Sequence, residues 1–187
     1  KRVEFVAGQF MQVMFDPGNA ANKDLNKYLS LSSAPEREYV EVTKRLSESA
    51  FSQRLKALRV GDEVTLRAPL GQCVFKEEYC KIAFLTGGIG ITPAISIIEH
   101  IVIKGLRTDV MLLYSNRVEE EIAFRKELDG WRAGNANIRV FYTVTDCEPK
   151  DKRCMFGQID KCLLEKNIPD CGERMVFVYG PPKMVEA

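Results

Sequence analysis

The chain has 187 residues, 45% of them hydrophobic, and 27 Lys and Arg residues against 26 Asp and Glu give a formal net charge of +1. That length is ample for a buried core and admits one ordinary domain or two small ones, while the lack of a basic surplus argues against nucleic-acid binding. A single histidine, His100, excludes multi-histidine metal centres and leaves one candidate base for any serine–histidine triad.

The six cysteines, Cys73, Cys80, Cys147, Cys154, Cys162 and Cys171, contain no C-x-x-C pair. A zinc or iron–sulfur site takes ligands from tight turns, so no metal is expected; reduced thiols in a cytoplasmic protein are the favoured reading. Residues Lys1 to Phe15 lack the zoned pattern of a signal peptide. The longest uncharged stretch, Ile82 to Ile98, is shorter than the roughly 20 residues of a membrane helix. Gly87, Gly88, Gly90 and Pro93 interrupt it, so it reads as strand, loop and helix rather than a membrane span.

In chain order, Gln9 to Phe15, Tyr39 to Arg45 and Glu63 to Ala68 alternate apolar and polar residues, the pattern of antiparallel strands. Asp16-Pro17-Gly18-Asn19 and Gly61-Asp62 are turn signals, and Phe51, Leu55 and Leu58 give a short helical rhythm. After Glu77-Glu78 the texture changes. Strands are predicted at Lys81 to Leu85, Asp109 to Tyr114, Ile138 to Thr145 and Arg174 to Val178. Between them lie helices at Pro93 to Lys104, Glu120 to Leu128 and Ile159 to Lys166. Apolar strands alternating with helices predict a parallel sheet covered on both faces, with ligands at the carboxyl ends of its strands. The boundary falls between Phe75 and Cys80, which divides the chain into domains 1–77 and 78–187.

The segment Thr86-Gly87-Gly88-Ile89-Gly90-Ile91-Thr92-Pro93 joins the first of these strands to a helix. Glycines let backbone pass close to a bulky anion, Thr92 suits an N-cap, and Pro93 at the first helical position gives up no needed N–H. Free amides and the positive end of the helix dipole suit a pyrophosphate. Because Pro93 stands where a third glycine would be, this is not the G-x-G-x-x-G fingerprint, and a turn without a ligand has the same sequence. Tyr179-Gly180-Pro181-Pro182-Lys183-Met184 follows another apolar strand, and Tyr114-Ser115-Asn116-Arg117 follows the middle one. Strand ends of one parallel sheet share an edge, so the three loops should meet in one crevice. Arg117 suits a phosphate there, or else pairs with Glu119 or Glu120.

Gly8-Gln9-Phe10, Lys27-Tyr28-Leu29-Ser30, Gly61-Asp62, Gly87 to Pro93, Tyr114 to Arg117 and Gly180-Pro181-Pro182-x-Met184, in that order and spacing, resemble the ferredoxin–NADP reductase superfamily over nearly the whole chain. The resemblance implies two domains: a flavin-binding antiparallel β-barrel, then an α/β parallel-sheet nucleotide-binding domain, each lacking end elements that the family has. It aligns Lys27, Tyr28, Leu29 and Ser30 with the flavin signature R-x-[YF]-[ST]. Lys27 keeps the charge for a pyrophosphate without arginine's fork, Leu29 stands where an aromatic covers the isoalloxazine, and Ser30 matches the hydroxyl that meets the reactive flavin nitrogen. Ser49, Ala50, Phe51 and Ser52 match the family's second flavin element at a helix start, and Val42 and Lys44 match positions that approach the flavin. Tyr179 replaces a cysteine that many members place beside the nicotinamide.

The activity implied is hydride transfer between NAD(P)H and FAD, with FMN less favoured, followed by single-electron transfer to a protein or domain carrying iron–sulfur or haem. Ser30 and Tyr179 stand at the reacting centre. Thr86, Gly87, Gly88, Ile89, Gly90, Thr92, Pro93, Ser115, Asn116, Arg117, Gly180, Pro181, Pro182 and Met184 form the nucleotide cradle. Arg117 with Ser115 favours NADPH, although Glu119, Glu120 and Glu121 close by would repel its 2′-phosphate. Two other readings stay open: a flavin-binding electron-transfer or regulatory subunit with little reductase activity of its own, and a nucleotide-binding interaction domain without flavin. His100, on a helix between Glu99 and Ile101, reads as a structural histidine.

Overall fold

The computed structural model describes residues 3–186, so Lys1, Arg2 and Ala187, at the ends of the two expected domains, lie outside it. In the N-terminal part, strands β1 (Phe10–Met14), β2 (Asn26–Ser30) and β3 (Thr65–Leu70) form an antiparallel sheet in the order β2-β1-β3. Helix α1 (Ala50–Ala57) covers it. Met11, Val13, Leu31 and Phe51 make its buried core, with Phe15 tilted against Phe51 at 5.1 Å between ring centres. The unit is small: of the expected strand Tyr39 to Arg45, a single bridge survives, between Val42 and Leu31. The cause is local. The Ser33 hydroxyl accepts from the Glu41 N–H at 3.0 Å, so a side chain replaces the backbone partner that would extend the ladder.

The second part is a five-stranded parallel sheet. Its strands are β4 (Lys81–Gly87), β5 (Asp109–Asn116), β6 (Ile138–Val144), β7 (Cys154–Phe156) and β8 (Met175–Tyr179), in the order β7-β6-β5-β4-β8. Helices α2 (Thr92–Lys104) and α3 (Arg125–Gly134) pack on one face, where Ile82, Phe84, Leu112, Tyr142 and Phe177 meet Ile97, Ile98 and Leu128. Helix α4 (Lys161–Asn167) covers the other face over Ala83, Met111 and Leu113. Three successive strands step one way from β4 and β8 returns to its other side, so the order switches at β4, and a crevice opens there beyond the strand ends.

Two expectations are corrected. The helix predicted at Glu120 to Leu128 is a short 3-10 turn at Glu119–Glu121, with the helix itself displaced to α3. Phe124 between them has a φ of 58°, which ends any continuous helix. Thr92 is not an N-cap: a 3-10 turn at Gly88–Ile91 runs straight into α2, and the Thr92 hydroxyl donates back to the Ile89 carbonyl at 3.3 Å. β7 was not foreseen, because three residues after a charged run carry too little periodicity.

The two parts meet along α2. Its Ser96 hydroxyl donates to the Ser33 carbonyl (2.8 Å), its Glu99 carboxylate accepts from the Ala34 N–H (2.7 Å) and Arg37 Nε (3.0 Å), and His100 Nδ1 meets Glu36 at 2.9 Å. Phe75 and Ala7 from the first part lie inside the main core, and the Phe75 ring stands edge-on to His100.

Candidate functional site

One cleft of about 1090 Å³ runs between the two parts. From the antiparallel side it takes Tyr28, Leu29, Ser30, Thr43, Lys44 and Arg45; from the parallel sheet it takes the ends of β4, β5, β6 and β8 with the loops that follow. Of the residues singled out in the sequence, Gly87, Gly88, Ile89, Gly90, Thr92, Pro93, Ser115, Asn116, Arg117, Tyr179, Gly180, Pro181 and Met184 line it. The rest do not: Lys27, Val42, Ser49, Ala50, Phe51, Ser52, Thr86 and Pro182 lie off its surface. Phe51 is fully buried in the antiparallel core. The buried Ser52 hydroxyl meets those of Ser47 and Ser49 at 3.2 and 3.1 Å, so this serine turn is satisfied internally.

Alternation along β2 puts Tyr28 and Ser30 on one face, where with Phe10 they line a side pocket of about 330 Å³. The Tyr28 ring is exposed and stands edge-on to Phe10. Leu29 borders the cleft but packs against the antiparallel core. The aromatic surface beside Ser30 is therefore Tyr28.

The glycine loop and the loop after β8 are built against each other. A Cβ on Gly90 would stand 2.8 Å from the Tyr179 carbonyl oxygen, and one on Gly87 would stand 2.6 Å from Met184 Sδ. Gly88 differs: its φ is 54°, and nothing lies within 4 Å of its Cβ position. Gly88 lines the cleft, and the first N–H groups of the 3-10 turn have no side-chain cap, the kind of end that an anion can complete.

Buried polar atoms gather at the same strand ends. The Thr86 hydroxyl and both ends of the Asn116 amide have no hydrogen-bond partner among the described residues. Asn116 lies near the Tyr114 hydroxyl, yet that hydroxyl donates to the Gly88 carbonyl at 3.0 Å. Orphaned groups of this kind are costly unless something polar meets them. Asn116 lines the cleft, so a nucleotide with amide, hydroxyl and phosphate edges fits its requirement; Thr86 lies behind the lining.

The Arg117 charge at the mouth is paired. Arg117 donates to Asp146 at 3.0 Å, which raises the guanidinium pKa and lowers that of the carboxyl, and Thr145 donates to the same carboxylate at 2.8 Å. The sequence had pointed to Glu119 or Glu120 as partner; Glu119 instead accepts from the Lys150 and Asp151 N–H groups. Tyr179 packs over Phe177, and its hydroxyl lies 3.2 Å from Cys73 Sγ across the junction. Burial, then that contact, pushes its pKa up, so Tyr179 is a neutral phenol. Thr43, Arg45, Thr145, Gln158, Ile159, Val178 and Val185 also line the cleft and were not singled out in the sequence; Glu121 and Lys183 line it too. Thr145 ends a parallel strand and was within reach of the strand-end rule.

The family model described as "Oxidoreductase NAD-binding domain" matches residues 84–187, more than half of the chain. The chain belongs to this family. It is 30% identical over 164 residues to NADH-cytochrome b5 reductase 1 of Dictyostelium discoideum, a match covering 86% of the chain and 57% of the relative. It is 30% identical over 150 residues to nitrate reductase [NADH] 1 of Arabidopsis thaliana, covering 73% and 16% respectively. The chain thus spans little more than half of the first relative and a small part of the second. Among solved structures, the cytochrome b5 reductase domain of Ulva prolifera nitrate reductase superposes with a TM-score of 0.77 at 22% identity, covering 97% of this chain and 77% of that one. A ferredoxin NADP+ reductase from Neisseria gonorrhoeae with bound FAD and NADP gives 0.78 at 21%, covering 100% and 78%. The fold of this NAD-binding oxidoreductase chain is that of the ferredoxin–NADP reductase and cytochrome b5 reductase group. Among the described residues no helix is long and apolar enough to cross a membrane.

Proposed function

We propose that the chain is the catalytic part of an NAD(P)H-dependent flavoprotein oxidoreductase that binds FAD and passes electrons singly to a haem protein or domain. One observation carries this reading: the Tyr28–Ser30 strand and the carboxyl ends of the parallel strands open into a single cleft, so a flavin on one side and a nicotinamide on the other would share one space. FAD, when bound, supplies the acceptor for a hydride and the means of releasing electrons one at a time. The chain's own groups orient and exclude water. Ser30 offers a hydroxyl on the face that it shares with Tyr28, and the Gly88 turn offers amides for the nicotinamide dinucleotide. Tyr179 borders the nicotinamide site as a neutral, hydrogen-bonded ring. On this reading residues 1–77 and 78–187 are the flavin and nucleotide domains, the first completing a small barrel around the cofactor.

The proposed donor is NADH. Arg117 and Ser115 alone favour a 2′-phosphate, but Asp146 occupies the guanidinium and Glu121 adds a second negative charge beside it. The names of the b5 and nitrate reductase relatives carry NADH, and point to haem rather than iron–sulfur as acceptor. All six cysteines are free thiols, in keeping with a reducing, cytoplasmic setting.

The test is anaerobic. Protein reconstituted with FAD should bind it stoichiometrically, bleach with NADH faster than with NADPH, and then reduce a b-type haem protein. Failure to take up FAD would overturn the reading, and flavin that neither nucleotide bleaches would instead favour an electron-transfer subunit.

A further inference from the structure

Arg45 and Glu121 come from opposite sides of the cleft and both line it. The guanidinium meets the carboxylate along two edges, NH1 to Oε1 and NH2 to Oε2, each at 3.1 Å. This is a fork-to-fork pair bridging the cleft mouth. It is solvated, with side chains 52% and 30% exposed, so it holds weakly. Glu121 also acts on Arg117, whose own hydrogen bond goes to Asp146. The neighbouring Lys44 donates to the Arg45 carbonyl, and Glu121 is the one carboxylate partner of the Arg45 guanidinium among the described residues.

We infer that Arg45 is a nucleotide-binding residue and that Glu121 holds its place until a phosphate arrives. The inference rests on the proposed nucleotide function of the cleft and adds an exchange to it. A pyrophosphate presents pairs of oxygens on each tetrahedral phosphorus at a spacing close to that of a carboxylate, and an arginine fork donates to either. As the nucleotide settles over the Gly88 turn, Arg45 turns from the Glu121 carboxylate to the pyrophosphate oxygens, and Glu121 swings into solvent. No proton moves, since both partners stay charged. The empty cleft is thereby spared an uncompensated cation, and entry of neutral or cationic molecules gains nothing from breaking the pair.

The test measures binding of ADP-ribose, which carries the diphosphate without a nicotinamide, by calorimetry on the full chain at low and high salt. Adenosine serves as an uncharged control. Glu121→Gln keeps shape, removes the competing charge and should tighten ADP-ribose about threefold; Arg45→Met keeps the stem and should weaken it about tenfold. In the double variant the tightening should vanish, because the gain passes through Arg45. Adenosine binding should be the same in all four proteins, and circular dichroism checks the fold of each. Tightening that persists in the double variant, or its absence in Glu121→Gln, overturns the exchange while leaving the proposed function intact. A wild-type chain that does not bind ADP-ribose at all overturns both.

Discussion

Gly87, Gly88 and Gly90 lie within one turn, yet each answers to a different constraint. Gly90 is small because the Tyr179 backbone occupies the place of its side chain, whereas Gly88 is glycine because of its left-handed backbone in open space. The two predict separable defects. Gly90→Ala should cost about 1–3 kcal/mol by overpacking and push the two loops apart. Gly88→Ala should cost about 1–2 kcal/mol through its backbone alone. Urea denaturation reads both, and equal losses of nucleotide binding per unit of lost stability would remove the distinction. A glycine pattern in sequence marks where backbone must come close without saying to what. Here two of the three glycines serve the protein's own chain.

At the scale of elements, α2 does two tasks from two faces. Its apolar face, through Ile97, Ile98 and Ile101, closes the core over the parallel sheet; Ser96, Glu99 and His100 hold the loop that follows the Ser30 strand. Glu99→Ala would orphan the buried Ala34 N–H and release Arg37, costing about 1–3 kcal/mol. The midpoint of urea unfolding checks it, and an unchanged midpoint would assign the junction to apolar contact alone. The helix was legible in the sequence from Pro93 to Lys104, as were the parallel strands β4, β5, β6 and β8, because continuous apolar runs and helical spacing are local signals. The polar grip was not, since nothing in Ser96 or Glu99 announces a partner more than sixty residues away. Arg45 and Gln158 were missed for the same reason: they reach the cleft through the packing of distant segments, which local periodicity does not report. What could be foreseen of the site was the part carried by strand ends and glycine loops.

Over the whole molecule, the parallel sheet has an open top and a pinned base. At the base the Arg174 side chain, 1% exposed, donates to Asp170 at 2.8 Å, to Asp109 at 2.9 Å and to the carbonyls of Ile82 and Asp109. Lys81 adds ion pairs to Asp170 and Glu173. The hydrogen bond from Arg174 holds the Asp170 carboxyl at about 2, below its ordinary value. A carboxyl held low in the folded state stabilises fully above its unfolded pKa near 3.8 and loses that effect as pH falls through about 2. Acid unfolding should therefore steepen between these values, and Asp170→Asn should flatten that limb while lowering stability at neutral pH. Thermal melts from pH 2 to pH 7 would show it, and identical limbs in the two proteins would place the acid sensitivity elsewhere.

The register of β8 beside β4, Phe84 against Phe177 and Thr86 against Tyr179, has a consequence in time. β4 is made early and its second neighbour late, with three strands and three helices synthesised in between. Until β8 docks, one edge of a deeply apolar strand stands unpaired, and the glycine loop lacks the backbone that Gly90 is shaped to receive. Pairings of such sequence separation form slowly, because the loop must close before any contact repays it. On a ribosome, then, the cleft is among the last features to exist, and the nascent chain carries an adhesive strand edge until it does.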